Sequence, residues 1–413
     1  MKEELLHFIW QSKLLLHKSL QTVSGEPVSI IRLGTYNRNA GPDFFNAKIQ
    51  IGDTLWAGNV EMHISSSEWD KHTHQTDAAY NNVILHVVYV DDKKVLNSNG
   101  ETLPTLELRS VIPTTLLQRY QSLQQQRSNQ LPCEKIIAMP AEAPLQVWLQ
   151  RLLVERIEHK TDYIKELLVK THHHYEQSFY IITARYFGMK TNAQPFEQLA
   201  NMLPLTVLSK HKNNLMDIMA LVLGTSGLIN RMGEAYAHLM PVFEHLQRKY
   251  KLQQMDESIW KFARTRPANF PSMRLVQFAL FVYRSSHLLG NVLECNTVQD
   301  LRTLYRIEGN YASQKIVLGD DAVNLLLINS VLPFVFVYGS IQHEESLCDK
   351  VLSWYEALPA EHNSITRQFT TLGLPLKNAA DGQAYIQLKN EYCNTLQCLR
   401  CSIGYHSLVH VQT

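Results

Sequence analysis

A chain of 413 residues is too long for one ordinary hydrophobic core, and two or three domains are expected. With 45% apolar and 19% charged residues it has the balance of a folded globular protein, which excludes a disordered or fibrous chain. A formal net charge of +1 excludes a global field that would attract nucleic acid or an anionic membrane, so any such affinity has to come from a local patch.

Residues 2–20 carry apolar side chains at Leu5, Ile9, Leu14, Leu15 and Leu20, a spacing that predicts a first helix with Trp10 on its buried side. Val28 to Leu33 reads as a strand, followed by a turn-rich segment with Gly34, Asn37, Asn39, Gly41 and Pro42. Phe45, Ala47, Ile49 and Ile51 then alternate with Asn46, Lys48 and Gln50, which predicts a half-buried strand with Lys48 on its polar face. After the Gly52-Asp53 turn, residues 55–64 alternate again. Trp56, Val60, Met62 and Ile64 share one face, and Asn59, Glu61 and His63 share the other. A period of two sets Glu61 and His63 side by side. A hairpin brings Asp43, at the start of the preceding strand, alongside Glu61. Ser65 to Ser67 ahead of Glu68 and Trp69 signals a helix start, and Thr76 is a second candidate cap. Residues 83–90 are almost wholly apolar, as in a central strand covered on both faces, with His86 as the one polar side chain. Leu103 to Leu108 reads as a last strand.

Residues 1–112 are therefore expected to form a small mixed-sheet α/β domain. A Gln-rich polar helical linker is expected over 113–140, a large all-helical domain over 141–385, and a Cys-rich segment over 386–413. Six cysteines fit a reducing compartment, and the N-terminal Met-Lys-Glu-Glu carries acid where a signal peptide needs net positive charge. The most apolar later run, 322–338, contains Asn324, Asn329, Ser330 and Pro333 and reads as a buried helix. A cytoplasmic protein without membrane contact is the expectation.

The stretches Gly41-Pro42-Asp43-Phe44, Gly58-Asn59-Val60-Glu61-Met62-His63 and Tyr80 to Val88 resemble a bacterial family catalogued only as a domain of unknown function. The resemblance continues through Trp148 to Leu152 with Glu155-Arg156, Arg185 to Gly188 with Asn192, Arg264 to Pro271, and Tyr392 to Cys401. The family implies no activity. The arrangement of Pro42-Asp43, a hairpin, and Glu61-x-His63 also resembles the core of the PD-(D/E)XK nuclease superfamily. That resemblance implies a restriction-endonuclease-like fold in which a helix precedes the hairpin. Asp43 and Glu61 would bind Mg²⁺, and the residue two after Glu61 would position the attacking water. That residue is His63 where the superfamily has Lys. A neutral histidine can act as base or ligand but supplies no point charge. Lys48, on the neighbouring strand, is the substitute.

Asp43, Glu61 and His63 are accordingly candidate ligands of Mg²⁺ or Mn²⁺, which neutralise a phosphodiester and generate hydroxide. The alternative is a turn-capping Asp43 and a solvated Glu61. His63, His72, His74, Asp77 and His86 suggest a second site, for a transition metal. His72-x-His74 does not share a helical face, so a loop has to converge it, and His86 reads better as a hydrogen-bonded core histidine. Between Arg248 and Arg274 the chain is locally basic, and Arg264, Arg266 and Arg274 among aromatic residues are candidates for gripping phosphates, or else for pairing with acids of the first domain. Cys393-x4-Cys398-x2-Cys401 has the spacing of a metal site, with His406 completing a Cys3His zinc centre or Cys133, Cys348 or His410 as the fourth ligand. Resemblance to some nucleases of the same superfamily makes an iron–sulfur cluster the other occupant, and three reduced buried cysteines are the structural alternative.

The function these residues point to is a metal-dependent nuclease acting on DNA or RNA. The rivals are a non-catalytic nucleic-acid- or protein-binding module on a degenerate nuclease scaffold, and a histidine-metal hydrolase of a small substrate.

Overall fold

The computed structural model describes residues 1–125, 130–263 and 267–410. The chain divides into two units. The first combines Met1–Leu145 with Glu391–Thr413, and the second is Gln146–Asn390.

In the first unit, helix α1 (Glu3–Gln11) has Glu3 and Glu4 in its first turn, where negative charge suits the helix dipole. It buries Leu5, Leu6, Phe8, Ile9 and Trp10. The helix ends well short of residue 20, because Lys13 turns the chain with a left-handed backbone at φ 60°. Seven strands follow: β1 (Leu20–Gln21), β2 (Pro27–Arg32), β3 (Thr35–Tyr36), β4 (Phe44–Ile51), β5 (Thr54–Ser65), β6 (Val83–Val90) and β7 (Thr105–Glu107). They form one mixed sheet in the order β1-β2-β4-β5-β6-β7, with β3 on β4. The hairpin partners β4 and β5 are antiparallel, while β5, β6 and β7 are parallel.

Alternation along β4 and β5 sorts the two faces. Phe44, Ala47, Ile49, Val60 and Met62 pack with α1, with Leu116, Tyr120 and Leu123 of helix α3 (Thr114–Gln124), and with Cys398 and Leu408. Residues 113–124, read as linker, thus carry part of this core, and the C-terminal segment belongs to the same unit. The opposite face is covered by the crossover from β5 to β6. That crossover holds the short helix α2 (Glu68–Lys71) and single 3-10 turns at His74–Thr76 and Ala78–Tyr80. Trp69 and Tyr80 pack there with Val83, Val95 and Leu103.

The second unit is mainly helical, beginning within α4 (Glu142–Lys170) and α5 (Tyr175–Phe187). It departs from the all-helical expectation at one hairpin, β8 (Glu308–Tyr311) and β9 (Gln314–Val317). Asp320–Gln342 is long and apolar enough to cross a membrane, yet 78% of its apolar window is buried inside the protein. Its middle, Leu327–Val331, is a π-helical turn. Lys160 of α4 reaches it, donating to Asn329 Oδ1 at 3.0 Å and to Gln383 Oε1 at 2.9 Å. Burial lowers the Lys160 pKa to about 7.

Candidate metal centre

The site is built where β4 meets β5. A bulge lies between Phe44 and Ala47, with Asn46 at φ 57°, and Asn59 Oδ1 accepts the Asn46 N–H at 3.2 Å. An extra residue in one strand re-aims what precedes it. Asp43 therefore lies against Glu61 and Met62: its N–H donates to Glu61 Oε2 at 3.0 Å, and its Oδ2 accepts from Met62 N at 2.9 Å. The sequence expectation that Asp43 and Glu61 are neighbours is met in this form. The carboxyl groups are not free, since each caps a backbone amide of the other strand.

Glu61 and His63 point away from α1, but the crossover covers them, leaving Glu61 5% and His63 1% exposed. Parallel pairing sets Glu61 opposite His86. His63 Nδ1 lies 2.8 Å from His86 Nε2, and His63 Nε2 lies 3.1 Å from His72 Nδ1. Thr73, left-handed at φ 61°, folds the crossover so that His72 and His74 both face this point despite their i, i+2 spacing. One ring nitrogen from each of His63, His72 and His74 lies within 4.8 Å of the others. Glu61 Oε1 sits 3.4 Å from His74 Nε2 and 3.7 Å from His63 Nε2. The His74 ring stacks on Tyr80, with centroids 3.7 Å apart, and Trp69 meets the rings of both His74 and His86 edge-on or tilted.

The electrostatics are those of a largely buried site. Burial, reinforced by the neighbouring imidazole of His86, lowers the His63 pKa to about 2. Burial and then His74 lower that of His86 to about 3. Burial likewise lowers His74. These rings are neutral, the form that binds metals. Burial, and then the Asp43 charge, push Glu61 up to about 8. On the α1 side, His7 Nε2 lies 3.2 Å from Asp43 Oδ2, and the carboxylate raises the His7 pKa against the cost of burial.

The donor set fits a transition metal. His74 Nε2 is buried without an aligned hydrogen bond, with Glu61 Oε1 at 3.4 Å, an arrangement that a bound cation between the two would satisfy. The contact of His63 Nδ1 with His86 Nε2 fixes the ring so that Nε2 faces His72 and Glu61. Two nitrogens on a tetrahedral ion with metal–nitrogen bonds of about 2.1 Å sit about 3.4 Å apart, so the widest pair, within 4.8 Å, has up to about 1.4 Å to close. His72 is exposed, so the centre opens to solvent on that side.

Other sequence candidates lie elsewhere. Lys48 is exposed and pairs with Ala57, four residues before Glu61 and so roughly 13 Å away along the strand; it does not substitute for the missing lysine. Arg274 is 5% exposed inside the second unit, bonded to Gln277 Oε1 at 3.0 Å and Asn269 Oδ1 at 2.6 Å, so it is a packing residue and not a phosphate contact. Arg264 and Arg266 lie outside the described residues. Among the described residues, the histidine trio is the one group whose ligand atoms converge; those of Cys393, Cys398, Cys401 and His406 do not gather in this way. Burial raises Cys398 to about 12 and Cys401 to about 11, leaving both as protonated core thiols. His406 stacks on His410, with centroids 4.6 Å apart.

Nothing in the sequence points to His7, whose partner Asp43 lies 36 positions away, and His72 and His74 stand there as candidates for a second site. The one signal that pointed to them was the local density of histidine.

No curated protein and no solved structure matches the chain. A family model matches residues 3–364, spanning the Asp43–Glu61 hairpin and the three histidines, and the chain belongs to that family, described as protein of unknown function (DUF2851).

Proposed function

We propose that the first unit is a metal-dependent hydrolase of nucleic-acid phosphodiesters. Its metal would be held by His63, His72 and His74 with Glu61 as a fourth donor. The observation that carries the reading is the convergence of three histidine nitrogens beside the buried Glu61 carboxyl. A nitrogen-rich donor set shifts the preference from Mg²⁺ toward Mn²⁺, Zn²⁺ or Fe²⁺. Such an ion, when bound, lowers the pKa of a coordinated water and neutralises phosphate charge. The protein's part is to keep His63 and His74 neutral by burial, to fix the His63 ring through His86, and to keep His72 at the solvent opening. Asp43, tied to His7, places a second carboxylate at the edge of the centre. The phosphodiester assignment rests on the resemblance to the nuclease core: a helix, then a hairpin whose strands bring an aspartate and a glutamate together.

The test is a titration with Mn²⁺, Zn²⁺ and Co²⁺, followed by calorimetry and the cobalt absorption spectrum, beside the His72→Ala/His74→Ala variant. Single- and double-stranded DNA and RNA are then offered with each metal. One equivalent bound and cleavage lost in the variant is the expected outcome. Equal metal uptake by both proteins, or no metal-dependent cleavage of any of the substrates, overturns it. A second reading, a non-catalytic binding module, draws on the same hairpin: both carboxyls are engaged by backbone amides and, among the described residues, no lysine pairs with them. Strand binding without cleavage favours it.

A further inference from the structure

A cleft of about 640 Å³ opens on the α1 side of the first unit, bounded by α1 and the chain just after it, by the turn after β3, and by residues 396–405. Its position matters because His7, one of its walls, is also the partner of Asp43, with Nε2 at 3.2 Å. The cleft therefore borders the carboxyl end of the candidate centre from the opposite side of the sheet.

Three cations line it: Lys13, Arg38 and Arg400. All three are exposed, and none makes a side-chain hydrogen bond or ion pair with another described residue. A single carboxylate, Glu4, faces them. In a protein whose formal net charge is +1, three unpaired cations around one concave surface are a local concentration of positive potential. Two are arginines, whose planar fork matches phosphate oxygens. Two tyrosine rings complete the wall. Tyr36 is held by a ring contact with Phe44 at 5.2 Å and by His7 Nδ1 at 3.4 Å from its hydroxyl; Tyr405 is held edge-on to Phe8 at 5.6 Å. Braced aromatic rings between unpaired cations are the composition that binds unpaired nucleotides, with phosphate on the cations and base on the ring. The volume is in the range of small-ligand sites, enough for one or two nucleotide units.

We propose that this cleft is a nucleotide-binding subsite that seats the unpaired end of a nucleic-acid strand, with its phosphates on Lys13, Arg38 and Arg400 and a base against Tyr36. The proposal deepens the hydrolase reading and rests on it for the identity of the strand as substrate. Binding itself needs no metal.

The experiment measures binding in EDTA, where the metal centre contributes nothing. Ligands are a fluorescent 12-nucleotide single strand, AMP, a blunt duplex and poly-glutamate. Proteins are the wild type, Arg38→Ala/Arg400→Ala, Arg38→Lys/Arg400→Lys and His72→Ala/His74→Ala. Expected are single-strand binding in preference to blunt duplex and poly-glutamate, a loss of at least tenfold in the alanine pair, substantial retention in the lysine pair, and no change in the histidine pair. The slope of log K against log salt falls by about 1.4 in the alanine pair, at about 0.7 for each lost contact. AMP binding with the same dependence on the arginines identifies the mononucleotide unit as sufficient; AMP failing where the strand binds shows that at least two phosphates are needed, and both support the site. Wild-type affinity in the alanine pair, equal binding of poly-glutamate, or no binding of strand or AMP at low salt overturns it. Failure of cleavage with retained strand binding counts against the metal reading and leaves this site standing.

Discussion

Glu61 concentrates the physical tension of the site at one residue. It is a carboxyl buried against Asp43, and its pKa rises from 4.5 to about 8. Below pH 4.5 it is protonated whether the chain is folded or not. Between 4.5 and 8 the folded protein keeps a proton that the unfolded chain releases, so this contribution to stability declines as pH rises and is gone above 8. Glu61→Gln replaces the group with a neutral shape mimic. In chelated protein, wild type and variant should have similar melting temperatures at pH 4.5, and the variant should be the more stable by a few kcal/mol at pH 8. The low pKa values of His63 and His86 act in both proteins and cancel in the comparison. A pH-independent difference would mean that Glu61 is ionised in the folded state. Adding Mn²⁺ or Zn²⁺ at pH 8 should close the gap from the wild-type side, because the cation offsets the buried charge and binding to the folded state alone stabilises it.

At the scale of elements, the parallel pairing of β5 with β6 holds the centre together, since it sets Glu61 against His86 and His63 against Val88. Gly58 is a point of close approach between the two. A Cβ there would sit 2.4 Å from Ile84 Cγ2 and 2.6 Å from Asn82 O, a backbone atom that cannot swing aside. Gly58→Ala should cost about 1–3 kcal/mol through overpacking, read as a lower urea midpoint, and should weaken metal binding by shifting β5 against β6. Gly290→Ala, whose nearest contact is at 4.0 Å, is the control and should be neutral or mildly stabilising within its helix. These strands were legible because a period of two is written in the side chains of β4 and β5 and because the β6 run is apolar throughout. The convergence of His72 and His74 was not, because it depends on Thr73 adopting a left-handed backbone that no glycine or asparagine announces. The β8–β9 hairpin stayed hidden for the same reason: its turn residues, Ala312 and Ser313, both have positive φ and neither is a residue type that signals such a turn. Lys48 misled because alternation assigns a face and says nothing about distance along the strand.

For the whole molecule, the feature that sequence order concealed is the return of the last residues to the first unit. No local pattern encodes a contact across hundreds of positions; what local signal there was, three cysteines in nine residues, pointed to a metal instead. The segment is fixed by burial and by hydrogen bonds. Leu408 is 2% and Ile403 2% exposed, Arg119 donates to His410 O at 2.9 Å, and Ala138 N–H donates to Ser407 Oγ at 3.1 Å. It also brings Arg400 and Tyr405 to the cleft. Leu408→Ala should therefore destabilise the first unit by about 2–5 kcal/mol, the cost of emptying a leucine-sized site in a packed core. Hydrogen exchange can localise the effect, because units with separate cores open separately. Amides of β4, β5 and α1 should exchange faster in the variant, while those of α5 and of the buried helix Pro271–Arg284 keep their protection. Faster exchange in the second unit as well would show that the two cores melt as one, and the C-terminal segment would then be a support of the whole chain. Strand binding should weaken in parallel with the loss of protection in the first unit, since Arg400 and Tyr405 are presented by the same helix and turn that Leu408 anchors.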